Sequence, residues 1–148
     1  MPAKFRKDRL LKIAEHLEAG KLGHKKFDFR YFNNGAKDAR GCGTSGCAVG
    51  EFPIIFPEHW EFECEYRPAP RAAAGARVNV LVQVSDFLKI SFREAEGLFI
   101  PTGGITTTIS APWNRSGQSL SGRANRKQVA AAIRRFIAWK EQGNALID

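Results

Sequence analysis

Apolar residues recur at helical spacing near both ends of the chain, and this periodicity constrains the fold more than any other feature. Leu10, Ile13, Ala14 and Leu17 fall at i, i+3, i+4 and i+7, one stripe on one helix face. Gly20 and Gly23 are expected to stop that helix. Near the other end, Asn125 predicts the cap of a long helix reaching about Gln142, with Val129, Ile133, Phe136 and Ile137 as its core stripe.

Between these helices the pattern changes. In "WEFECEY", Trp60, Phe62, Cys64 and Tyr66 alternate with Glu61, Glu63 and Glu65, which predicts a strand with one buried face and one row of carboxylates. Carboxylates two apart on a strand sit about 7 Å from each other, too far for a shared tight ligand set. The acidic row Glu61–Glu65 therefore reads as a solvated strand face. "EFPIIFPEHW" is broken by Pro53 and Pro57 and reads as a loop or a short strand. "RPAPRAAAGA" reads as a linker-like loop. The stretch Val78–Val84 alternates like a strand and also fits a helical stripe. Ser91-Phe92-Arg93-Glu94 is a capping box, which tips the reading to two helices, the second running from Ser91 to about Phe99. "GGITTTISAPW" is β-branched and reads as the strand that partners Trp60–Tyr66. The expected fold is α+β: one mainly helical domain over residues 1–148 with a small antiparallel two-stranded sheet.

A chain of 148 residues is long enough to bury a real core, and its 43% apolar and 26% charged composition is that of a soluble globular protein. The eleven Phe against two Tyr mark the aromatics as core material. No apolar run approaches the roughly 18 residues that span a bilayer, and the charged N-terminus lacks a signal-peptide apolar region. A cytoplasmic location with no membrane partner is expected. Three cysteines fit reduced thiols better than a disulfide framework.

The net charge is +8, unevenly distributed. Residues 1–50 carry eleven Lys/Arg against five Asp/Glu, residues 51–65 carry five Glu and no base, and residues 121–148 carry six bases against two acids. Such a field favours an anionic macromolecule, either nucleic acid or a protein with an acidic face. On the last helix, Lys127 and Arg134 are seven apart on a ridge opposite the apolar stripe, and Arg123 and Arg135 widen it. Trp113 in the preceding loop, with Trp139 on the helix flank, is the aromatic expected to stack on bases. Partner binding is thus assigned to Arg123, Lys127, Arg134, Arg135 and Trp113.

"GCGTSGCAVG", Gly41 to Gly50, raises the competing chemistries. It satisfies G-x-G-x-x-G, but the preceding "AKDAR" is polar where a dinucleotide site needs a buried strand. A phosphate loop fails because Gly46 is followed by Cys47 rather than Lys-Ser/Thr. Cys42, Cys47, His59 and Cys64 have ligand chemistry suited to zinc, but Cys64 alternates inward with Trp60 and Phe62 and the spacing is poor. No metal or cofactor is expected. A thiol enzyme is the sharper alternative: Cys42 or Cys47 at a helix start beside Arg40 has a lowered pKa, with His59 as the base nearest in sequence. The simpler reading has Thr44 or Ser45 capping a short helix while Cys47 and Val49 pack inward. A third reading is DNA binding through a helix-turn-helix-like "VSDFLKISFREAEGLF", but its second helix carries Glu94 and Glu96 against one Arg93.

The segments "FDFRYFNNGAKDARGCGTSGCAVG", "FLKISFREAEGLF" and "QVAAAIRRFI" resemble parts of small uncharacterised bacterial and phage proteins. In that group a Phe-rich stretch leads into Cys-Gly-Thr-x-x-Cys-x-x-Gly, and an "EA-x-x-LF" helix and a basic C-terminal helix follow. The resemblance covers about half the chain and implies an organisation with no assigned activity. It suggests a phage or mobile-element accessory protein, such as an inhibitor of host defence, acting stoichiometrically as a binder. This chain departs from the group in its longer middle, its acidic strand and its Pro/Ala loop.

Overall fold

The apolar stripe of residues 10–17 builds helix α1, Lys7–Ala19, and buries Leu10, Ile13, Ala14 and Leu17 completely. The computed structural model describes residues 4–21, 26–27, 45–46, 48–62, 68–71, 80–102 and 109–148. Gly20 ends α1 in the left-handed region at φ 76°, where a residue without Cβ avoids strain, and its N–H returns to the His16 carbonyl. Its bare Cα also makes room for a side chain from the far end of the sequence. The Arg126 guanidinium sits 3.0 Å from where a Cβ would lie and donates to the carbonyls of Leu17 and Glu18 at 2.6 and 2.9 Å. An arginine thus satisfies two of the carbonyls that a helix C-terminus leaves without partners.

Arg126 opens α5, Arg126–Glu141, which is capped by Asn125 in a reciprocal box with Gln128. The two helices run antiparallel, since Lys7 at the start of α1 pairs with Glu141 at the end of α5 at 2.8 Å. Val129, Ala130, Ile133, Phe136 and Ile137 of α5 are buried in the same core as the α1 stripe.

The middle of the chain completes that core. Strand β1, Lys26–Phe27, pairs in parallel with β2, Ser45–Gly46. A 3-10 turn at Val49–Glu51 leads into α2, Phe52–Ile55. The first half of the stretch expected as a loop or short strand is therefore helical. Pro53 is tolerated because it stands in the first turn, where its missing N–H has no intrahelical partner to lose. The turn begins at Val49 behind Ala48, with no side-chain cap, and Thr44, one of the two expected caps, lies outside the described residues. Val49 does pack inward, as expected.

Strand β3, Trp60–Phe62, forms a three-residue antiparallel ladder with β4, Pro68–Pro70, in the register Trp60 to Pro70 and Phe62 to Pro68. Part of the expected linker is thus a short strand, and among the described residues it is the partner of Trp60–Phe62. Of residues 103–113, the stretch expected in that place, 103–108 lie outside the described residues, as do 63–67, and in the described remainder Ser110 makes an isolated antiparallel bridge with Gln118 and not with β3.

Helix α3, Val80–Leu88, resolves the ambiguity of the valine run for its described part. The chain then turns at Lys89, φ 57°, with the Ile90 N–H on the Ser85 carbonyl, and α4 covers Phe92–Phe99. Its cap is the expected box: Ser91 Oγ accepts from the Glu94 N–H, and Glu94 Oε1 accepts from the Ser91 N–H. The described residues are mainly helical. Phe52 anchors an aromatic cluster with Phe56, Trp60, Phe87 and Phe99 at ring distances of 5.0 to 6.1 Å. None of the described helices is long and apolar enough to cross a membrane.

Candidate functional site

From Gly97 to Lys140 the sequence contains no Asp or Glu and seven Lys/Arg. This run is a signal that tallying charge by fixed blocks of sequence conceals. The structure sorts these bases into two sets.

The first set is matched within the fold. Arg126 caps α1 as described. Arg134 forms a two-pronged pair with Glu18, Nε and Nη2 reaching the carboxylate at 2.8 and 2.7 Å. That hydrogen-bonded guanidinium holds the Glu18 carboxyl below its ordinary range and raises Arg134, to which Glu15 adds a smaller attraction. Lys140 reaches the buried Glu94 at 3.1 Å, with its own side chain 15% exposed. Glu94 Oε2 also accepts the Leu146 N–H, so one carboxylate ties α4, α5 and the C-terminal residues together. Asp148 adds a second tie, its carboxylate oxygens accepting the N–H groups of Phe92 and Arg93 at the start of α4.

The second set faces outward without a counter-charge. Arg115, Arg123 and Lys127 are exposed, and none forms a side-chain hydrogen bond or ion pair among the described residues. Arg135 is exposed and directs Nε and Nη2 at Asn114 Oδ1, at 3.2 and 2.7 Å. Asn114 is neutral, so the bond fixes the guanidinium without cancelling its charge. It engages two of the five N–H groups a guanidinium carries. The loop holding Asn114 is itself set by hydrogen bonds. Asn114 Nδ2 donates to the Gln118 carbonyl, the Ala111 N–H to Gly117, and the Gly117 N–H back to Asn114, with Gly117 at φ 75°.

At 100° per residue, Arg134, Lys127, Ala138 and Ala131 share one exposed ridge of α5, with Arg134 at its edge nearest α1, and Gln128 and Arg135 share the next. Of the five residues expected to bind a partner, Arg123, Lys127 and Arg135 lie on this surface. Arg134 stands on the flank toward α1, against Glu18.

Trp113, expected as an exposed stacking platform, is instead 6% exposed. Its ring meets Phe136 at 4.7 Å and Trp139 at 5.3 Å. It also lies so close to α4 that a Cβ on Gly97 would be 2.6 Å from the ring. The wide spacing of Trp113 from any helical stripe gave no sign of this burial.

Cys42, Cys47 and Cys64 lie outside the described residues, so the thiol and zinc readings are located only through His59. That ring stands exposed beside Phe87 at 5.4 Å, on the rim of a 420 Å³ cleft shared with Glu58, Arg71 and Asp86. A different histidine has the buried acidic partner: His16 Nε2 is 2.9 Å from Oε1 of the fully buried Glu51. No cluster of three metal-ligating side chains occurs among the described residues. The second helix of the helix-turn-helix-like segment, α4, buries Glu94, Ala95, Gly97, Leu98 and Phe99, leaving Arg93 as its exposed base.

The class defined by fold and surface is thus a mainly helical domain with a basic face that no acid answers among the described residues. No family model, curated protein or solved structure matches the chain.

Proposed function

We propose that this protein is a stoichiometric binder of an anionic macromolecule, using Arg115, Arg123, Lys127 and Arg135 on the outer side of α5 and its preceding loop. The observation that carries the reading is the absence of any carboxylate from Gly97 to Lys140 while four of that segment's bases face solvent unmatched by an acid among the described residues. Exposed like charges gathered without counter-charges do nothing for folding, because even well-matched surface pairs contribute only about 0–1 kcal/mol. They do attract an opposite surface and speed its approach.

An accessory protein of a phage or mobile element, binding nucleic acid or an acidic protein inside the cytoplasm, is one form of this role. That form rests on the resemblance of the three segments alone. The test is a comparison of the wild type with the Arg123→Glu, Lys127→Glu pair on a polyanionic matrix. Both should melt alike, and the variant should elute at distinctly lower salt. Unchanged elution would remove this face from the function.

A further inference from the structure

We infer that the partner of this face is double-stranded DNA, held through its phosphates and without base readout. The inference rests on the proposed anion-binding role and specifies the anion. Three features favour a duplex over the other polyanions.

The first is what the face lacks. Binding of single strands depends on aromatic rings on which bases stack. The large apolar side chains exposed among the described residues are Ile54, Val82 and Ile147, none aromatic and none on α5. Trp113 is locked beneath Phe136 and Trp139. Trp139, on α5, is half-buried against Trp113 and Phe136, so among the described residues a strand with splayed bases finds no fully exposed ring on this face.

The second is spacing. Lys127 and Arg135 are eight residues apart, about 12 Å along the helix axis. That is about the width of the B-form major groove, so a helix crossing the groove reaches both phosphate edges. Between them lies Ala131, exposed and small, which lets the backbone of α5 approach closely. Arg123 stands two residues before the Asn125 cap, and Arg115 follows Asn114, which bonds Arg135, so both loop bases belong to segments adjoining α5. The deep, narrow major groove of an A-form RNA duplex does not admit such a crossing.

The third is the fate of the polar reader. Gln128 shares the ridge of Arg135 and has the chemistry to read adenine. Its Oε1 instead accepts the Asn125 N–H at 2.8 Å in the capping box of α5. Arg135 is likewise braced by Asn114. On α5 itself a braced guanidinium, an ammonium group and an amide held in its cap describe contact with the backbone, which positions a protein but does not select sequence.

The experiment measures binding of the full chain to two unrelated 20-base-pair DNA duplexes, one RNA duplex, one single strand and poly-glutamate, at 50 and 200 mM salt. The two DNA duplexes should bind alike. Four phosphate contacts should cost about a hundredfold in affinity between the two salts. Arg123→Glu with Lys127→Glu should weaken duplex binding at least tenfold. Lys12→Glu with Arg93→Glu, an equal change in net charge placed on other helices, should weaken it less than threefold. Circular dichroism melting checks that both double variants fold.

If poly-glutamate binds as tightly as the duplex and loses affinity equally in the Arg123/Lys127 variant, the anionic reading stands and the nucleic-acid inference falls. If the single strand or RNA duplex binds as tightly as DNA, the fit to the B-form groove is wrong. If no polyanion binds at 50 mM salt, the parent reading falls with it.

Discussion

Arg134 and Arg135 are adjacent in sequence, similarly exposed, and chemically identical, yet the fold uses them differently. Arg134 turns toward α1 and meets a carboxylate in a two-pronged pair. Arg135 turns toward the 111–123 loop and meets a neutral amide. The same division runs along the whole of α5. On the sides that face α1 and α4, Arg126, Arg134 and Lys140 each find carbonyls or an acid, and those contacts join elements far apart in sequence. On the outer side, Lys127, Arg135 and the loop bases find no acid among the described residues. A base that closes a contact within the fold is unavailable to a partner, so net charge overstates the binding surface and its geometry must be read base by base.

The largest loss is expected at the most deeply buried of the matching acids. Glu94 is 1% exposed and holds Lys140, the Leu146 N–H and the Ser91 N–H at once. Glu94→Ala leaves a half-buried ammonium and two N–H groups without their acceptor, and should destabilise by about 3 kcal/mol. Urea unfolding reads this directly. Adding Lys140→Met to the Ala variant should recover part of the loss, because the stranded charge is then gone. A wild-type midpoint for Glu94→Ala would show that the inward contacts are as dispensable as the outward ones.

A smaller loss is expected where the binding loop meets the core. Gly97 sits in mid-helix, where Gly is normally about 1 kcal/mol worse than Ala. Here a Cβ would lie 2.6 Å from the Trp113 ring and 2.7 Å from the Ser110 carbonyl oxygen. Overpacking of that kind costs about 1–3 kcal/mol. Gly97→Ala should therefore lower stability despite its better helix propensity. It should also shift the loop that braces Arg135, so duplex affinity should fall with it. A stabilised Gly97→Ala protein would mean that Trp113 moves freely.

Next comes the cap. Ser91→Ala removes one acceptor from the first turn of α4 and should cost about 1 kcal/mol, visible as a lower melting temperature. Glu94 and Asp148 still hold neighbouring N–H groups of that helix, so the effect should stay below that of Glu94→Ala. An equal effect of the two variants would reduce the role of Glu94 to its share of the cap.

What the sequence made legible follows the same line between local and distant contacts. The Ser91 capping box, the Asn125 cap and both terminal stripes were readable, because each is set by residues within one or two turns of each other. Ser91 with Glu94, and Leu10 with Leu17, are of this kind. The helical nature of Phe52–Ile55 was hidden because Pro53 reads as a breaker unless its place in the first turn is known. The pairing of Pro68–Pro70 with β3 was hidden because prolines argue against a strand, yet an edge tolerates them. At the surface, the helical period correctly turned Lys127 outward. It had no means of showing that Arg134 meets Glu18, 116 residues earlier in sequence, or that Arg126 fills the space left by Gly20. Trp113 was misplaced for the same reason, since what covers it comes from α4 and α5.

The smallest expected effect is in the acid limb of stability, and it separates the two kinds of charge by pH alone. The Arg6 guanidinium beside Asp8 holds that carboxyl down from its ordinary 3.8 to about 2, chiefly through hydrogen bonds of 3.0 and 2.8 Å. Glu18 is lowered from 4.5 by its bonds to Arg134. A carboxyl whose folded pKa is depressed binds its proton more readily in the unfolded chain. Its contribution is therefore complete above the unfolded value and is lost as pH falls through the folded one. Stability should thus be level from about pH 6 down to 5 as far as these two pairs are concerned, then decline toward pH 2. Both carboxyls are largely exposed, so screening by solvent keeps each contribution to a few tenths of a kcal/mol. Asp8→Asn and Glu18→Gln should each flatten part of that decline. Lys127→Gln should leave it untouched, since no carboxylate among the described residues answers that base. Urea midpoints measured at intervals from pH 6 to pH 2 for the three variants make the comparison. A changed acid limb in Lys127→Gln would show that the outward face has a counter-charge after all.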